Sequence, residues 1–330
     1  MKYIIDNESA NTLKKVSKER KPSKLVELAV RMLKEKPLGT VGAVITLLLL
    51  LTGIFANFLA PYGMNDVHSL SALQGPSIRF LLGTDNLGRD LLSRVIFGAR
   101  ISVIVGLVAT LISIAISTFL GVLSAYIGGT FDLIFQRFVD AELSIPNLLL
   151  LMIIISMIGP GLWQVILCLG ISNGIGNTRM IRSLVISIKE NMYINSAVAL
   201  GASTRKIIIQ HILPNIMAPI IILFSLTVPS MILNEAGLSF LGFGIPPPQP
   251  SWGGMLSGSA QKYMLIDPWM ALWPGLALAV TIYSVNMFGD ALRDLLDPRL
   301  RGGIGRYGKK VKPTEAKKII SINQEKGLPD

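Results

Sequence analysis

The chain has 330 residues, 51% of them hydrophobic and only 15% charged, with a formal net charge of +11. Soluble domains carry about 25% charged residues, so a soluble globular protein is excluded, and the basic excess points to loops beside a membrane rather than to a nucleic-acid surface. The single cysteine, Cys168, lies in an apolar run, which excludes an internal disulfide or multi-cysteine metal site and reads as an inert buried thiol.

Residues 1–37 are polar and basic, with Lys2, Lys14, Lys15, Lys18, Arg20, Lys21, Lys24, Arg31, Lys34 and Lys36. An apolar stretch close to the start, as a signal peptide needs, is missing. The first apolar run is therefore expected to stay in the membrane. A span needs roughly 20 apolar residues, and six segments approach this: 38–60, 101–127, 131–159, 162–186, 216–238 and 268–292. Pro61 ends the first. The third carries its charges in its first half, and Gly174 and Gly176 interrupt the fourth. Between the first two, "LGRDLLSRVIFGAR" places its apolar residues on one helical face, which predicts an amphipathic helix at the outer surface with Asp90 and Arg94 paired at i, i+4. The expected architecture is an all-α membrane protein. It has a tail (1–37), a transmembrane domain (38–297) with a cytoplasmic loop at 187–215, and a second basic tail (298–330). Six spans and two basic tails put both termini in the cytoplasm.

Several groups resemble chemistry without supplying it. Gly303, Gly305, Gly308 and Lys309 fit parts of phosphate-binding glycine patterns, but Asp297-Pro298 argues against the strand these need, and Lys310 stands where a hydroxyl would meet magnesium. His68 and His211 have no metal-ligand spacing, so no metal site is expected. Charges in or beside spans are costly. Arg137 and Asp140 at i, i+3, with Glu142 close by, read either as a structural ion pair or as a pathway contact. Glu235, without a local partner in sequence, reads either as reaching the headgroups or as a pathway residue. In "GIPPPQPSWGGML" the prolines favour a semi-rigid course, and Trp252 is a candidate outer contact for a partner or the membrane boundary.

One polar stretch sits between apolar runs: "YINSAVALGASTRKIIIQHILPN", 193–215. "YINSAVAL" reads as a short helix, capped by Gly201. Ser203 can cap a second helix holding Arg205 and Lys206, with Ile208, His211 and Ile212 on one side. Pro214 marks the entry to the fifth span. Helices this short are marginal alone, so this helix–turn–helix needs support from spans or a partner.

The stretch resembles the cytoplasmic Glu-Ala-Ala loop of permease subunits in binding-protein-dependent ABC importers, specifically the "C" permease of the dipeptide, oligopeptide and nickel group. Asn195-Ser196-Ala197 stand at the leading positions and Gly201, followed by Ala202 and Ser203, at the glycine. His211-Ile212-Leu213-Pro214 stand at the closing Ile-x-Leu-Pro, with His211 in place of the isoleucine. The leading acid is absent. Residues 81–103, "EAGLSFLGFGIPPPQPSWGGML" (235–256) and "FGDALRDLLDPRLR" (288–301) are similarly close to the group's signatures. The resemblance implies a type I importer permease in the inner membrane that binds no cofactor itself. Implied partners are a second permease, two cytoplasmic ATPases using ATP and magnesium, and an extracytoplasmic substrate-binding protein. Peptides are the implied substrate, with nickel chelates and opine-type metallophores as alternatives. An ATPase-independent secondary transporter or channel is the rival class, with an enzyme third.

Overall fold

The computed structural model describes residues 24–296. The tail up to residue 23, the tail from 297 onward and the glycine–lysine pattern at 303–309 lie outside the described residues. Among the described residues the protein is helical, and its one β-bridge, Thr84 to Asp90, belongs to no strand.

Helix α1 (Lys24–Glu35) precedes α2 (Pro37–Ile54) and the single turn α3 (Ala56–Leu59). After a loop at 60–90 come α4 (Leu91–Ile127), α5 (Gly129–Leu143), α6 (Asn147–Ile158) and α7 (Leu162–Lys189). Next are α8 (Met192–Ala199), α9 (Thr204–Ile207), a π-turn at Ile208–Ile212, and α10 (Leu213–Phe240). Two short helices, α11 (Trp252–Leu256) and α12 (Ser259–Tyr263), lead to α13 (Trp269–Leu296). Among the described residues, four helical stretches are individually long and apolar enough to cross a membrane, or five if α5 and α6 count as one bent span, so the expected six are not all confirmed: α7, at the fourth expected span, is not among them.

Small residues set the packing, as they do where backbones must approach without a hydrophobic drive between helices. A Cβ on Gly170 or Gly174 of α7 would lie 2.8 Å from Ile112 or Ile116 of α4, and one on Gly121 of α4 would lie 2.8 Å from Ile181. Gly174 therefore does not interrupt the fourth span. The helix runs unbroken from Leu162 to Lys189, and close packing offsets the roughly 1 kcal/mol that glycine costs inside a helix. On the other side, Gly39 and Gly42 of α2 meet Ala291 and the Ser284 carbonyl of α13.

The third expected span is not one helix. α5 and α6 meet at 89°, with Pro146 at the corner. Proline lacks the N–H that would continue α5, and it bars Ile145 from helical dihedrals.

The second span is longer than its hydropathy suggests. The stretch read as an outer amphipathic helix is the first part of α4, which spans 37 residues. Its face meets protein rather than lipid: Leu91, Ser93 and Arg94 are buried. Asp90 does not pair its side chain with Arg94. It caps α4, accepting from the Ser93 amide at 2.8 Å and the Ser93 hydroxyl at 2.6 Å. Arg94 instead donates to the Met64 carbonyl at 3.0 Å and lies 3.7 Å from Asp85, which Arg89 holds at 2.7 Å.

Trp252 does not present its ring to a partner or to the membrane boundary. It is 1% exposed, its indole N–H donates to the Val95 carbonyl at 3.0 Å, and its ring covers Gly98 of α4. The loop at 241–267 is thus pinned onto α4.

Candidate functional site

The 187–215 segment is built on isoleucine anchors. Ile194 of α8, Ile207 of α9 and Ile212 of the π-turn are buried in one cluster with Val122 and Ala125 of α4, Ile181 and Val185 of α7, and Ile216 of α10. Burying each such side chain contributes about 1.5–3 kcal/mol, which supports helices too short to stand alone. The π-turn explains the spacing. In an α-helix, residues 207 and 212 would point to different sides. A ring closed at i, i+5 brings them onto one face, as the bond from the Leu213 amide to the Ile208 carbonyl does here.

Gly201 adopts φ +79°. The Ala202 amide reaches the Ala197 carbonyl at 3.0 Å and the Gly201 amide reaches the Val198 carbonyl at 2.9 Å. This pair of bonds closes a Schellman cap on α8. Ser203 stands at the N-cap of α9, but its side chain makes no capping bond, so the expected hydroxyl cap is corrected. Pro214 stands in the first turn of α10, where its missing N–H costs nothing, as expected at the entry to the span, although 204–240 also forms one membrane-length stretch.

Side chains tie the segment to the span ends. Lys189 donates to the Tyr126 carbonyl at 2.9 Å and sits over the Tyr126 ring at 5.3 Å, satisfying a carbonyl at the end of α4. Asn215 donates to the Tyr193 hydroxyl at 3.3 Å, and the Tyr193 and His211 ring centres are 6.2 Å apart. His211, Ala202 and Leu213 are half-buried, whereas Asn195, Ser196, Ser203, Arg205 and Pro214 are exposed and Ala197 is intermediate. The Ser196 hydroxyl turns back to the Met192 carbonyl at 3.0 Å. The tip is apolar and open: Met192 is 86% and Leu200 88% exposed. A rigid base under an apolar tip suits a groove on another protein.

The charges of the third span gather where α5 faces α7. Arg137 donates to Asp140 at 3.2 Å, and Arg179 of α7 binds the same carboxylate. Asp132 accepts a two-pronged contact from Arg182, with Nε at 2.7 Å, and also the Ser124 hydroxyl. These groups line an open hollow of about 590 Å³. Glu142 stands apart, accepting from Ser172 at 2.7 Å. Asp132, Arg179 and Arg182 escaped sequence reasoning because their partners lie on other helices. Their presence inside apolar stretches was the available signal.

Glu235 does not reach the headgroups. It is fully buried, and it accepts from Ser239 at 2.6 Å. The same Ser239 hydroxyl accepts from the Ile245 amide at 3.3 Å, so the acid helps hold the loop at 241–267 on α10. No cluster of three or more metal-ligating side chains occurs among the described residues.

Long apolar helices joined by a base-anchored, apolar-tipped segment define a multi-pass membrane protein with a surface open to another protein. Residues 117–302 match the family model of the binding-protein-dependent transport system inner membrane component, and 24–76 match the N-terminal TM domain of oligopeptide transport permease C. The chain belongs to this family of ABC importer permeases. It is 38% identical over 273 residues to a dipeptide transport system permease protein of Alkalihalophilus pseudofirmus, covering 83% of this chain and 90% of that one. It is 36% identical over 273 residues to glutathione transport system permease proteins of Escherichia coli and Shigella boydii, covering 82% of this chain and 90% of theirs. Membership implies work with a substrate-binding protein and ATPase subunits.

Proposed function

We propose that this chain forms half of a peptide pathway, paired with a second permease, and that its 192–212 segment is the lever on which a cytoplasmic ATPase acts. The carrying observation is the contrast within the segment: Ile194, Ile207 and Ile212 are at most 2% exposed, while Met192 and Leu200 stand almost fully in the open. In this reading Asn195, where the family pattern has an acid, meets the ATPase through neutral hydrogen bonds, and the apolar tip supplies the contact area. ATP and magnesium belong to the ATPases, and this chain is a non-catalytic subunit. The basic tails place both termini in the cytoplasm, so the loop at 241–267 faces outside. Bending at Ile145-Pro146 gives the α5–α6 pair a free inner surface, and the Asp132–Arg182 and Asp140–Arg179 pairs line the route there. Dipeptides and glutathione, the solutes named for the relatives, point to short peptides as cargo.

The test is uptake by the four-subunit assembly in proteoliposomes with its binding protein. ATP-dependent accumulation of a labelled di- or tripeptide is expected, with loss on Leu200→Asp at normal abundance. Uptake of a nickel chelate but no peptide would overturn the substrate reading. Uptake without ATPase subunits would overturn the lever reading.

A further inference from the structure

The loops at 60–90 and 241–267 and Pro160, between α6 and α7, meet at the end of the bundle away from the 192–212 segment. That segment packs on Val122 and Ala125, in the last turns of α4, whereas the loops gather at Leu91 and Arg94, in its first turns. They surround a cavity of about 340 Å³, within the size range of small-molecule sites. Exposed Pro246, Pro247 and Gln249 bound it, and so do buried Asp85, Arg94 and Ser251. The cavity therefore runs from the surface in among desolvated groups.

Its charged lining consists of Asp85, Arg89 and Arg94, one carboxylate against two guanidiniums. Asp85 is fixed by its own loop: Oδ1 accepts from the Leu87 and Arg89 amides, each at 2.9 Å, and Gly88 takes φ +77° in the turn between them. Oδ2 accepts from Arg89 Nε at 2.7 Å and lies 3.7 Å from Arg94 Nε, so one oxygen holds both arginines in place. Their side chains are only 15% and 10% exposed, which leaves the second positive charge poorly hydrated. Glu235 bonds to Ser239 in the cavity wall but forms no ion pair with either arginine.

A guanidinium has five N–H donors. Arg89 uses Nε, Arg94 uses Nη1 on the Met64 carbonyl at 3.0 Å, and neither side chain makes a further hydrogen bond among the described residues. An uncompensated buried charge is costly. A carboxylate relieves that cost and presents two oxygens to planar donors shaped for them. One net positive charge matches a monoanion, not a doubly charged phosphate. The rest of the wall includes Leu91, Ile245, Met255 and Met270, which suits the carbon skeleton of an organic acid rather than an inorganic ion.

We propose that this cavity binds the carboxyl end of a short peptide, the carboxylate lying between Arg89 and Arg94 and the adjoining side chain against the apolar wall. That the acid is a peptide rests on the pathway read above; that it is an organic carboxylate rests on the cavity.

The test uses the assembled permease pair and ATPases in lipid disks, without the binding protein, so that only the membrane assembly can hold a ligand. The probes are trialanine, trialanine amide and hippurate, an organic acid without an amino terminus, with binding followed by saturation-transfer NMR. Trialanine should bind at least about tenfold more tightly than its amide, about 1.4 kcal/mol. Arg89→Gln should abolish that preference, and Arg89→Lys should keep part of it. A diazirine-bearing trialanine should label 85–94 or 242–259. Equal binding of acid and amide to the unaltered assembly would overturn the proposal, and peptide uptake alongside it would leave the pathway reading standing. Labelling confined to other segments would overturn the location, and an undiminished acid preference in Arg89→Gln would overturn the role of the arginine. Arg89-dependent binding of hippurate but not trialanine would uphold the carboxylate site and overturn the peptide. Failure of every probe to bind would overturn the proposal outright; if Arg89→Gln then weakens docking of the binding protein, the cavity holds an acid of that protein instead.

Discussion

Changing Gly201 isolates the backbone geometry of the proposed lever from its contacts. A Cβ added at this position meets nothing within 4 Å, so crowding contributes no cost. The whole penalty comes from φ +79°. An L-residue in the left-handed region costs about 1–2 kcal/mol, with β-branched residues at the upper end and asparagine well below it. That range corresponds to a factor of about 5–30 in the share of loops that keep the native turn. The anchors on either side, Ile194 and Ile207, remain buried, so membrane insertion and abundance should be near normal. On the proposed role, peptide uptake should be near normal for Gly201→Asn, reduced for Gly201→Ala and lower by at least about tenfold for Gly201→Val. The assay is uptake with ATPase stimulation by the loaded binding protein, in proteoliposomes of matched permease content. Normal uptake with valine would refute the reasoning, as would asparagine failing as badly as valine.

Trp252→Phe should lower the thermal stability of the purified chain by about 1 kcal/mol, from the bond lost to Val95, and Trp252→Ala by about 3–5 kcal/mol; two equally stable variants in thermal unfolding would contradict the buried ring. A double-mutant cycle of Asp132→Asn with Arg182→Gln should give a coupling of about 1 kcal/mol, modest because the arginine side chain is 31% exposed and solvent screens the pair. A coupling of zero in urea-dependent unfolding would dismiss the contact. Burial pushes the Asp267 carboxyl above its usual range. The folded state therefore holds that proton more tightly than the unfolded state, a contribution present at acid pH and lost as pH rises through the raised value. Asp267→Asn should stabilise the protein at pH 7–8 and give no gain near pH 4, as thermal unfolding at both pH values would show.

Hydropathy located the stretches now seen at 37–54, 91–127, 204–240 and 269–296, because twenty apolar residues can hardly be anything else in a chain this poor in charge; α7, long but carrying Arg179 and Arg182, is not among the stretches apolar enough to qualify. Hydropathy misjudged helix ends and breaks wherever tertiary contacts decide. The amphipathic face at 87–100 was visible, but periodicity cannot say whether such a face meets lipid or protein. Here the loop carrying Asp85 and the ring of Trp252 cover it. Pro146 was in plain view, and its effect on Ile145 was the missed signal. In the candidate lever, the glycine turn was legible because left-handed backbone selects its residue. The π-turn was not, although isoleucines five apart at 207 and 212 fit no α-helical face. Ser239, the hydroxyl partner of Glu235, stands four residues on in the same helix and was within reach, whereas the burial of Glu235 and the pairing of Asp132 with Arg182 depend on packing between distant segments.

The stretch from Thr204 to Phe240 has one more consequence. At 1.5 Å per residue it is about 55 Å long, and it carries the exposed lever at one end and the Glu235–Ser239 clasp near the other. If the 192–212 segment is the lever proposed above, events on the two faces of the membrane become phases of a single stroke, because a push at one end of this stretch reaches the clasp at the other unless the stretch flexes on the way. It can flex at two marked heights. Pro219 and Pro229 interrupt its bonding ladder, and Gly289 of α13 packs beside the second of these, where an added Cβ would stand 3.3 Å from the Ser225 carbonyl oxygen. On the proposed lever role, these heights would set how much of each stroke goes into opening above and how much into bending between.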